Sequence, residues 1–332
     1  MCEQQYFMEY VLGWRGDSNK KADKGTIVHK VLEILAFIKL AQQNKQDTID
    51  DDVIGEVSTS EYSLNTIIEK VYNYYSSNFK HHTWEIKDYK DCHKWCYKAI
   101  EYENGMFDPR NRHIVCPEQR FDLIIDKPWS KYSYETKDGP LQGNLAIKGT
   151  IDLITQPSEN TLEIVDWKTG RRLDWATGQE KTQEKLENDP QLKIYYYAIK
   201  QLYPDIDHVI VTIYFINDGG PFSVCFENKD LYETESMLRK KFEHIKRCEV
   251  PKLSKSWKCS KLCHFGKNSF QNTHLPILDE YRSGQLADVG QPMTMCEQIK
   301  HDVQLTGMKE VVDKYTMPGY TVGKYKAPGS TE

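Results

Sequence analysis

The chain has 332 residues, of which 39% are hydrophobic, 12% aromatic and 28% charged, with a formal net charge of -5 at pH 7. This length can bury a full hydrophobic core, and a mean hydropathy of -0.68, without a run of roughly 20 apolar residues, excludes a membrane-spanning helix. The first residues lack the basic start and apolar run of a signal peptide, and the acidic balance excludes a uniformly basic nucleic-acid coat, so we expect a cytoplasmic protein.

The first third of the chain has helical periodicity. Residues 25–43 repeat apolar side chains at helical spacing, and Gly25 with Thr26 supplies a helix start, so we expect a buried helix with His29 in its first turns. Two more helical stretches follow at 61–79 and 89–105. Taken alone, a histidine in such a helix is more simply a satisfied core residue than a ligand.

After Pro117 the pattern changes to short β-type runs. The pattern predicts three strands in meander order at 118–125, 145–155 and 161–170. It then predicts a helix with an aromatic face at 191–204, a further apolar strand at 208–217 and a charged helix at 227–247. Beyond Pro251 the sequence is irregular until a short helix near 297–315. We expect one folded unit made of a helical region 1–110 carrying His29, a β-rich core 111–250 and a Cys-containing segment 251–332 packed on the core.

Two acids and a lysine stand in the predicted second and third strands. If these strands are neighbours, Asp152 and Asp166 converge at one edge, and Lys168 lies on the face of Asp166 because side chains alternate along a strand. Converging carboxylates attract Mg²⁺ or Mn²⁺, and a lysine beside them can act on the attacking water. A D-x-K pair alone is more often a solvated edge, but an acid within apolar runs such as GTIDLI is costly unless it is paired or metal-bound.

These residues resemble motifs of RecB-like PD-(D/E)XK nucleases, which read G-x-x-D-L-I and V-D-W-K-T-G. The family also has G-x-x-x-H on an upstream helix, matched here by Gly25 and His29, and Q-x-x-x-Y on the helix after the lysine strand, matched by Gln191 and Tyr195. Five features in the same order cover most of the chain. The resemblance implies an α/β, restriction-endonuclease-like core with a central mixed β-sheet flanked by helices.

The resemblance also implies roles for individual residues. His29, Asp152 and Asp166 would ligate Mg²⁺ or Mn²⁺ together with the backbone carbonyl of Trp167, and Lys168 would act on the water.

Three further residues have implied roles. Gln191 and Tyr195, one turn apart on a helix, would brace the catalytic site or meet the DNA backbone. Glu118 is a further metal-ligand candidate, because related nucleases carry a glutamate on the first strand of this sheet.

The implied reaction is hydrolysis of DNA phosphodiesters, with an exonuclease acting on ends or single strands as the expected enzyme. The expected setting is DNA repair, recombination or phage DNA metabolism in a bacterial or phage-infected cell. No helicase P-loop occurs in the chain, so a helicase or recombination protein would be a separate partner. The alternative is a catalytically dispensable DNA-binding or iron-sulfur adaptor subunit of a repair complex.

Nine cysteines, an odd number, disfavour a disulfide framework. Several RecB-like nucleases hold a 4Fe-4S cluster with one early and three late cysteines, and the resemblance points to Cys2, Cys259, Cys263 and Cys296, with Cys248 as an alternative fourth ligand. Zinc could use the same set.

The other cysteines are predicted to be packing residues. Cys92 and Cys96, which flank His93 on a helix, and Cys116 and Cys225 in strand-like settings are interpreted as core residues.

One segment is locally basic. Five lysines and no acid stand between 252 and 267, and Lys255, Trp257, Lys258 and Lys261 form a candidate nucleic-acid contact through phosphate pairing and stacking. An ordinary lysine-rich surface loop remains the alternative.

Overall fold

A computed structural model describes residues 2–16, 18–136, 139–173, 178–248, 250–269 and 293–320. The chain forms two compact units, one made of residues 19–243 and one made of residues 1–18 with 244–332. Among the described residues, no helix is both long and apolar enough to cross a membrane.

The α-helices follow one another in chain order. They are α1 Glu3–Tyr6, α2 Lys20–Gln43, α3 Leu64–Asn78, α4 Ile86–Glu101, α5 Gln183–Glu187, α6 Pro190–Leu202, α7 Asn228–Lys246, α8 Trp257–Lys261, α9 His264–Lys267, α10 Met295–Thr306 and α11 Met308–Tyr315. The strands are β1 Thr48–Asp51, β2 Gly55–Ser58, β3 Ile114–Ile124, β4 Lys131–Thr136, β5 Gly139–Asn144, β6 Ala146–Ser158, β7 Thr161–Lys168, β8 His208–Phe215 and β9 Gly220–Phe226.

A five-stranded sheet of order β3-β6-β7-β8-β9 forms the centre of the larger unit. Strands β7 and β8 are parallel, and the other neighbours are antiparallel. The chain passes through α5 and α6 between β7 and β8, because a parallel pair needs a longer crossover than a hairpin turn provides. The predicted α/β fold with a mixed sheet is confirmed.

Strand β7 contributes to two apolar cores. Val165 and Trp167 belong to the core built by α2, α3 and α4, whereas Ile164 belongs to the core built by α6. This division follows from the period of two along a strand, and it leaves almost every side chain of β7 buried. An aspartate in such a strand is therefore held away from water on both sides.

The smaller unit has its own apolar core. Met8, Trp14, Phe265 and Ile299 are buried there. The Trp14 indole N–H donates to the carbonyl of Tyr315, 2.8 Å away. This hydrogen bond satisfies the one polar group of a fully buried tryptophan.

Two helix boundaries differ from the prediction. Helix α2 begins at Lys20, five residues before Gly25, because the Asn19 side chain caps it by accepting the N–H of Ala22. The helix predicted near 297–315 is two helices, α10 and α11, which are separated at Gly307 with a φ of 88°.

Three strand features lie outside the predicted elements. The hairpin β1-β2 interrupts the helical first third, the hairpin β4-β5 lies between β3 and β6, and β9 adds an edge strand after β8. Cys225 in β9 is exposed, so its interpretation as a core residue is wrong: its side chain lies on the face of β9 opposite to that of the buried Val224 and Phe226.

Candidate active site

The strand register brings the two predicted carboxylates together. Leu153 pairs with Val165 across β6 and β7, so the same antiparallel register places Asp152 opposite Asp166. Asp152 Oδ2 accepts the backbone N–H of Trp167 at 2.9 Å. The Asp152 carboxylate of β6 is thus hydrogen-bonded to the residue that follows Asp166 in β7.

His29 reaches this pair from helix α2. Its Nδ1 lies 3.4 Å from Asp152 Oδ2, and its ring meets Trp167 edge-on with 6.0 Å between the ring centroids. Burial alone would lower the pKa of His29, but the charge of Asp152 reverses the effect and raises it. Burial would likewise raise the pKa of Asp152, yet His29 and Lys168 bring it below its usual value. Each shift favours the charged form of its group, because His29 and Asp152 attract each other.

Asp166 is surrounded by groups of its own chain. Its Oδ1 accepts the Gln191 side-chain amide at 3.2 Å and the Tyr195 hydroxyl at 3.3 Å, and Gln191 also donates to the Tyr195 oxygen at 2.7 Å. Lys168 Nζ lies 2.5 Å from Oδ2. The Asp166 side chain is only 2% exposed, and this burial raises its pKa despite the charge of Lys168.

Two glutamates complete the acidic surroundings. Pro117 and Gln119 pair with Leu153 and Ile151, which places Glu118 across from Asp152, and Glu118 has a left-handed backbone with a φ of 48°. Burial raises the pKa of Glu118, and the charge of Asp152 adds to that rise.

The second glutamate, Glu33, was missed in the sequence. It stands four residues after His29 on the same helical face, and burial raises its pKa to about 7, with the charge of Glu118 acting in the same direction. The i,i+4 spacing from His29 was the available signal.

The donor set fits a hard divalent ion. Ligands about 2.1 Å from an octahedral Mg²⁺ lie roughly 3 Å from their neighbours, and the 3.4 Å between His29 Nδ1 and Asp152 Oδ2 is close to that spacing. Asp166 Oδ2 is in contact with the Lys168 ammonium, so a metal ion bound by this oxygen would share it with Lys168 or displace the lysine. Carboxylate oxygens suit Mg²⁺ and Mn²⁺.

A tighter set of donors lies elsewhere in the larger unit. Within the described residues, Asp23, His81 and His82 have one donor atom each within 4.8 Å of one another, with His82 Nε2 2.7 Å from Asp23 Oδ2. His29 and Asp152 are in contact, whereas Asp166 is turned toward Lys168 and α6. Among the described residues, His29, Asp152 and Asp166 therefore do not form a donor set as tight as that of Asp23, His81 and His82.

The four predicted cluster cysteines are brought together in the smaller unit. Cys263 and Cys296 share a hydrogen bond, and the thiol of Cys296 also interacts electrostatically with Cys2 and Cys259. The hydrogen bond from Cys296, followed by those from the backbone N–H groups of Gly266 and Phe265, lowers the pKa of Cys263 to about 6.

Neighbouring backbone also shapes this cysteine group. The N–H of Gln5 points at the Cys2 sulfur, 3.3 Å away. A Cβ at Gly266 would stand 2.8 Å from Cys259 Cα, so only glycine lets this loop lie against Cys259. Cysteine sulfurs with N–H groups directed at them fit an iron-sulfur cluster.

The remaining cysteines have other surroundings. Cys92 and Cys96 are fully buried in α4 and pack in the helical core, as predicted. The pKa of Cys248 is raised by burial and by Glu3, and no other cysteine contributes to that shift.

The basic segment lies around α8 in the smaller unit. Lys255 Nζ pairs with Glu297 at 2.8 Å, and Trp257 is 48% exposed. Lys258 and Lys261 belong to the short helix α8, with Lys261 exposed.

Comparison with known proteins assigns the family. The family model described as the PD-(D/E)XK nuclease superfamily matches residues 1–267. No curated protein matches the chain. A similar solved structure is a candidate exonuclease from Eubacterium rectale, with a TM-score of 0.41 and 11% identity over 79% of this chain and 86% of that chain. Because the family match spans well over half of the sequence, the chain belongs to the PD-(D/E)XK nuclease superfamily and is a nuclease that hydrolyses phosphodiester bonds.

Proposed function

We propose that this nuclease is a metal-dependent deoxyribonuclease of the RecB-like branch, acting as an exonuclease. The observation that carries the proposal is the opposition of Asp152 and Asp166 on neighbouring strands, with His29 on the first carboxylate and Lys168 on the second. The RecB-like assignment is supported by the order His29, Asp152, Asp166-x-Lys168 and Gln191-x-x-x-Tyr195.

In this proposal His29, Asp152, Asp166 and the backbone carbonyl of Trp167 hold Mg²⁺ or Mn²⁺, with Glu118 as a further ligand. When bound, such an ion lowers the pKa of a water and offsets the charge of the scissile phosphate. The Trp167 N–H fixes the carboxylate of Asp152, which presents its remaining lone pairs to the ion.

Lys168 is the residue proposed to act on the water. Its ammonium group rests on Asp166 but its side chain is 36% exposed, so it can face solvent and substrate while remaining beside the buried carboxylate. A lysine in this position orients the attacking water by accepting a hydrogen bond when neutral, or balances the phosphate charge when protonated. Both uses require the lysine to stay within reach of Asp166.

Gln191 and Tyr195 are proposed as positioning residues. Their side chains hold Asp166 Oδ1 through two hydrogen bonds and are linked to each other, which fixes the carboxylate while its second oxygen faces Lys168. Helix α6 thereby supports a catalytic group on β7.

DNA ends or single strands are the proposed substrates, in repair, recombination or phage DNA metabolism, with a helicase or recombination protein as partner. Lys255, Trp257, Lys258 and Lys261 are proposed as a further contact with DNA, supported by the exposed Trp257 ring. The segments 1–110, 111–250 and 251–332 remain our proposed domain division.

We also propose that Cys2, Cys259, Cys263 and Cys296 hold a 4Fe-4S cluster. Support comes from the mutual interactions of the four thiols and from the two backbone N–H groups directed at Cys263. Zinc is the alternative occupant of the same cysteines. Absorption of the anaerobically purified protein decides between them, because zinc is colourless.

The competing function is a catalytically dispensable DNA-binding or adaptor subunit. Asp166→Ala distinguishes the two, with Asp122→Ala as the matched control because Asp122 is an exposed acid on β3 that pairs with Lys148. End-labelled single and double strands are digested with Mg²⁺ or Mn²⁺. The proposal expects loss of product for Asp166→Ala alone, and unchanged degradation by that variant contradicts it.

A further inference from the structure

A cavity of about 530 Å³ opens on the larger unit beside the N-terminal half of α2 and the helix α4. Four cationic side chains line it, from Lys21, Lys94, Lys98 and Arg171, and Trp95 stands in its wall. This concentration of positive charge contrasts with the net charge of -5 of the whole chain. The cavity therefore attracts an anion through its own positive side chains rather than through the net charge of the protein.

The four cations are available to a ligand. Within the described part of the chain, none of these four side chains forms an ion pair.

The acids in the lining are already engaged. Asp91 pairs with Lys24 at 2.8 Å, Glu180 pairs with Arg172 at 2.9 Å, and Asp218 accepts the Arg172 backbone N–H at 2.7 Å. Among the described residues, Asp218 is the one acid of the lining without a cationic side chain as partner, so the four cations outnumber the negative charge that remains.

The cavity adjoins the candidate active site through the turn after β7. Thr169, which lines the cavity, follows Lys168 directly, and its carbonyl accepts the Asn217 side-chain amide at 3.4 Å. The Thr169 hydroxyl lies 2.8 Å from the position of a Cβ on Gly25, so helix α2 and this turn touch between His29 and the cavity. One wall of the cavity is thus formed by the turn that directly follows strand β7.

The spacing along α2 sets a length for the ligand. Lys21 precedes His29 by eight residues, about 12 Å along an α-helix. A strand with its scissile phosphate near His29 would reach the cavity with phosphates a few nucleotides away.

We propose that this cavity binds the backbone of single-stranded DNA that extends from the active site. The inference rests on the proposed nuclease function and names its substrate class. Lys94 and Lys98, one turn apart on α4, bind successive phosphates together with Lys21 and Arg171.

The shape of the site favours one strand over a duplex. Its volume lies within the range of about 300–1,000 Å³ typical of small-molecule pockets, which accommodates individual nucleotides of a flexible strand. A duplex offers its phosphates on a rigid surface with grooves about 6 and 12 Å wide, and cannot place several of them inside one such cavity. Unpaired strands can bend into it.

The test measures binding in the absence of cleavage. All variants carry Asp166→Asn, and binding of a fluorescent single-stranded oligonucleotide is followed by anisotropy in EDTA over a range of salt concentrations. The test pair is Lys94→Gln with Lys98→Gln on α4. The control pair is Lys240→Gln with Lys241→Gln, two lysines on α7 that line another surface cavity. Circular dichroism melting confirms that each variant is folded.

The expected result is quantitative. Removing two phosphate contacts from single-stranded binding lowers the slope of log K against log salt by about 1.4, because each contact contributes about 0.7. Affinity near physiological salt should fall at least tenfold, whereas the control pair should match the parent. Arg171→Gln should lower the slope by a further 0.7 or so.

Two results overturn the inference. One is an unchanged slope and affinity for the test pair, and the other is a larger loss for a blunt duplex than for the single strand. Neither result depends on catalysis. Cleavage by the Asp166→Asn parent with metal added would instead contradict the proposed active site, and it is measured separately.

Discussion

The Tyr195 hydroxyl donates to Asp166 Oδ1 across 3.3 Å, linking helix α6 to the acid of strand β7. Gln191 donates to the same oxygen, one helical turn earlier. The buried carboxylate is therefore fixed on one side by neutral donors and faces Lys168 on the other.

Tyr195→Phe should slow cleavage without abolishing it. The change removes one of the two hydrogen bonds that orient Asp166 and leaves the aromatic packing intact, so we expect a loss of roughly tenfold in kcat. Gln191→Ala should cost more, because it removes its own hydrogen bond to Asp166 and frees the Tyr195 side chain. Steady-state kinetics with Mg²⁺ and Mn²⁺ measures both. A Tyr195→Phe enzyme as inactive as Asp166→Ala would contradict a positioning role.

Stability should fall as pH rises through the titration of Glu33. Burial raises the pKa of this carboxyl to about 7, against about 4.5 in the unfolded chain. Between these values the folded state holds a proton that the unfolded state has lost, so the free energy of unfolding decreases from pH 4.5 to 7 and the cost is complete above pH 7. The shift corresponds to roughly 3 kcal/mol.

Glu33→Gln should remove this pH dependence. The amide resembles the protonated carboxyl, so we expect the variant to equal the wild type near pH 5 and to be about 2–3 kcal/mol more stable at pH 8. Urea unfolding in EDTA at both pH values measures the difference, with Glu69→Gln as a control on an exposed position of α3. Equal stabilities at pH 8 would refute the raised pKa.

Cys263→Ser should remove the chromophore of the proposed cluster and destabilise the smaller unit. Serine lacks the thiolate, and the N–H groups of Phe265 and Gly266 lose their sulfur acceptor. Cys248→Ser is the matched control, because no other cysteine influences the Cys248 thiol. Absorption and iron content after anaerobic purification are the measurements. Equal loss of iron in both variants would identify Cys248 as a ligand of the cluster.

Arg112, which precedes β3, forms an ion pair with the buried Glu163 of β7, and breaking this pair should be costly. Glu163 also accepts the Thr212 hydroxyl at 2.7 Å, and Arg112 donates to Thr155. Arg112→Met leaves the Glu163 carboxylate buried without its cation, and we expect a loss of about 3–5 kcal/mol in the free energy of unfolding. Arg112→Met combined with Glu163→Gln should recover part of that loss. A single variant within about 0.5 kcal/mol of the wild type would refute the expectation.

Part of the site follows from local patterns in the sequence. Asp166 and Lys168 fall on one face by the period of two, and Gln191 and Tyr195 meet by the i,i+4 spacing of a helix. Both relationships act within one element, so they can be predicted before the tertiary structure is known. The placement of His29 beside Asp152 depends on packing between elements and came only from the family resemblance.

Other features depend on long-range contacts and escaped prediction. Glu33 shares a helical face with His29, but the rise in its pKa depends on the other elements that pack around it. The exposure of Cys225 depends on which face of β9 is covered by other elements, and that is not encoded within the strand itself. The early start of α2 is set by the Asn19 cap, a signal that the apolar pattern beginning at Gly25 obscured.

The most direct test of the central claim is metal-dependent cleavage of end-labelled DNA by the wild type and by Asp152→Asn. The amide retains an oxygen for the Trp167 N–H but loses the charge that pairs with His29. We predict cleavage by the wild type with Mg²⁺ or Mn²⁺, none in EDTA, and at least a hundredfold slower cleavage by the folded variant. Cleavage by Asp152→Asn at the wild-type rate, or undiminished cleavage in EDTA, would contradict the assignment of this site.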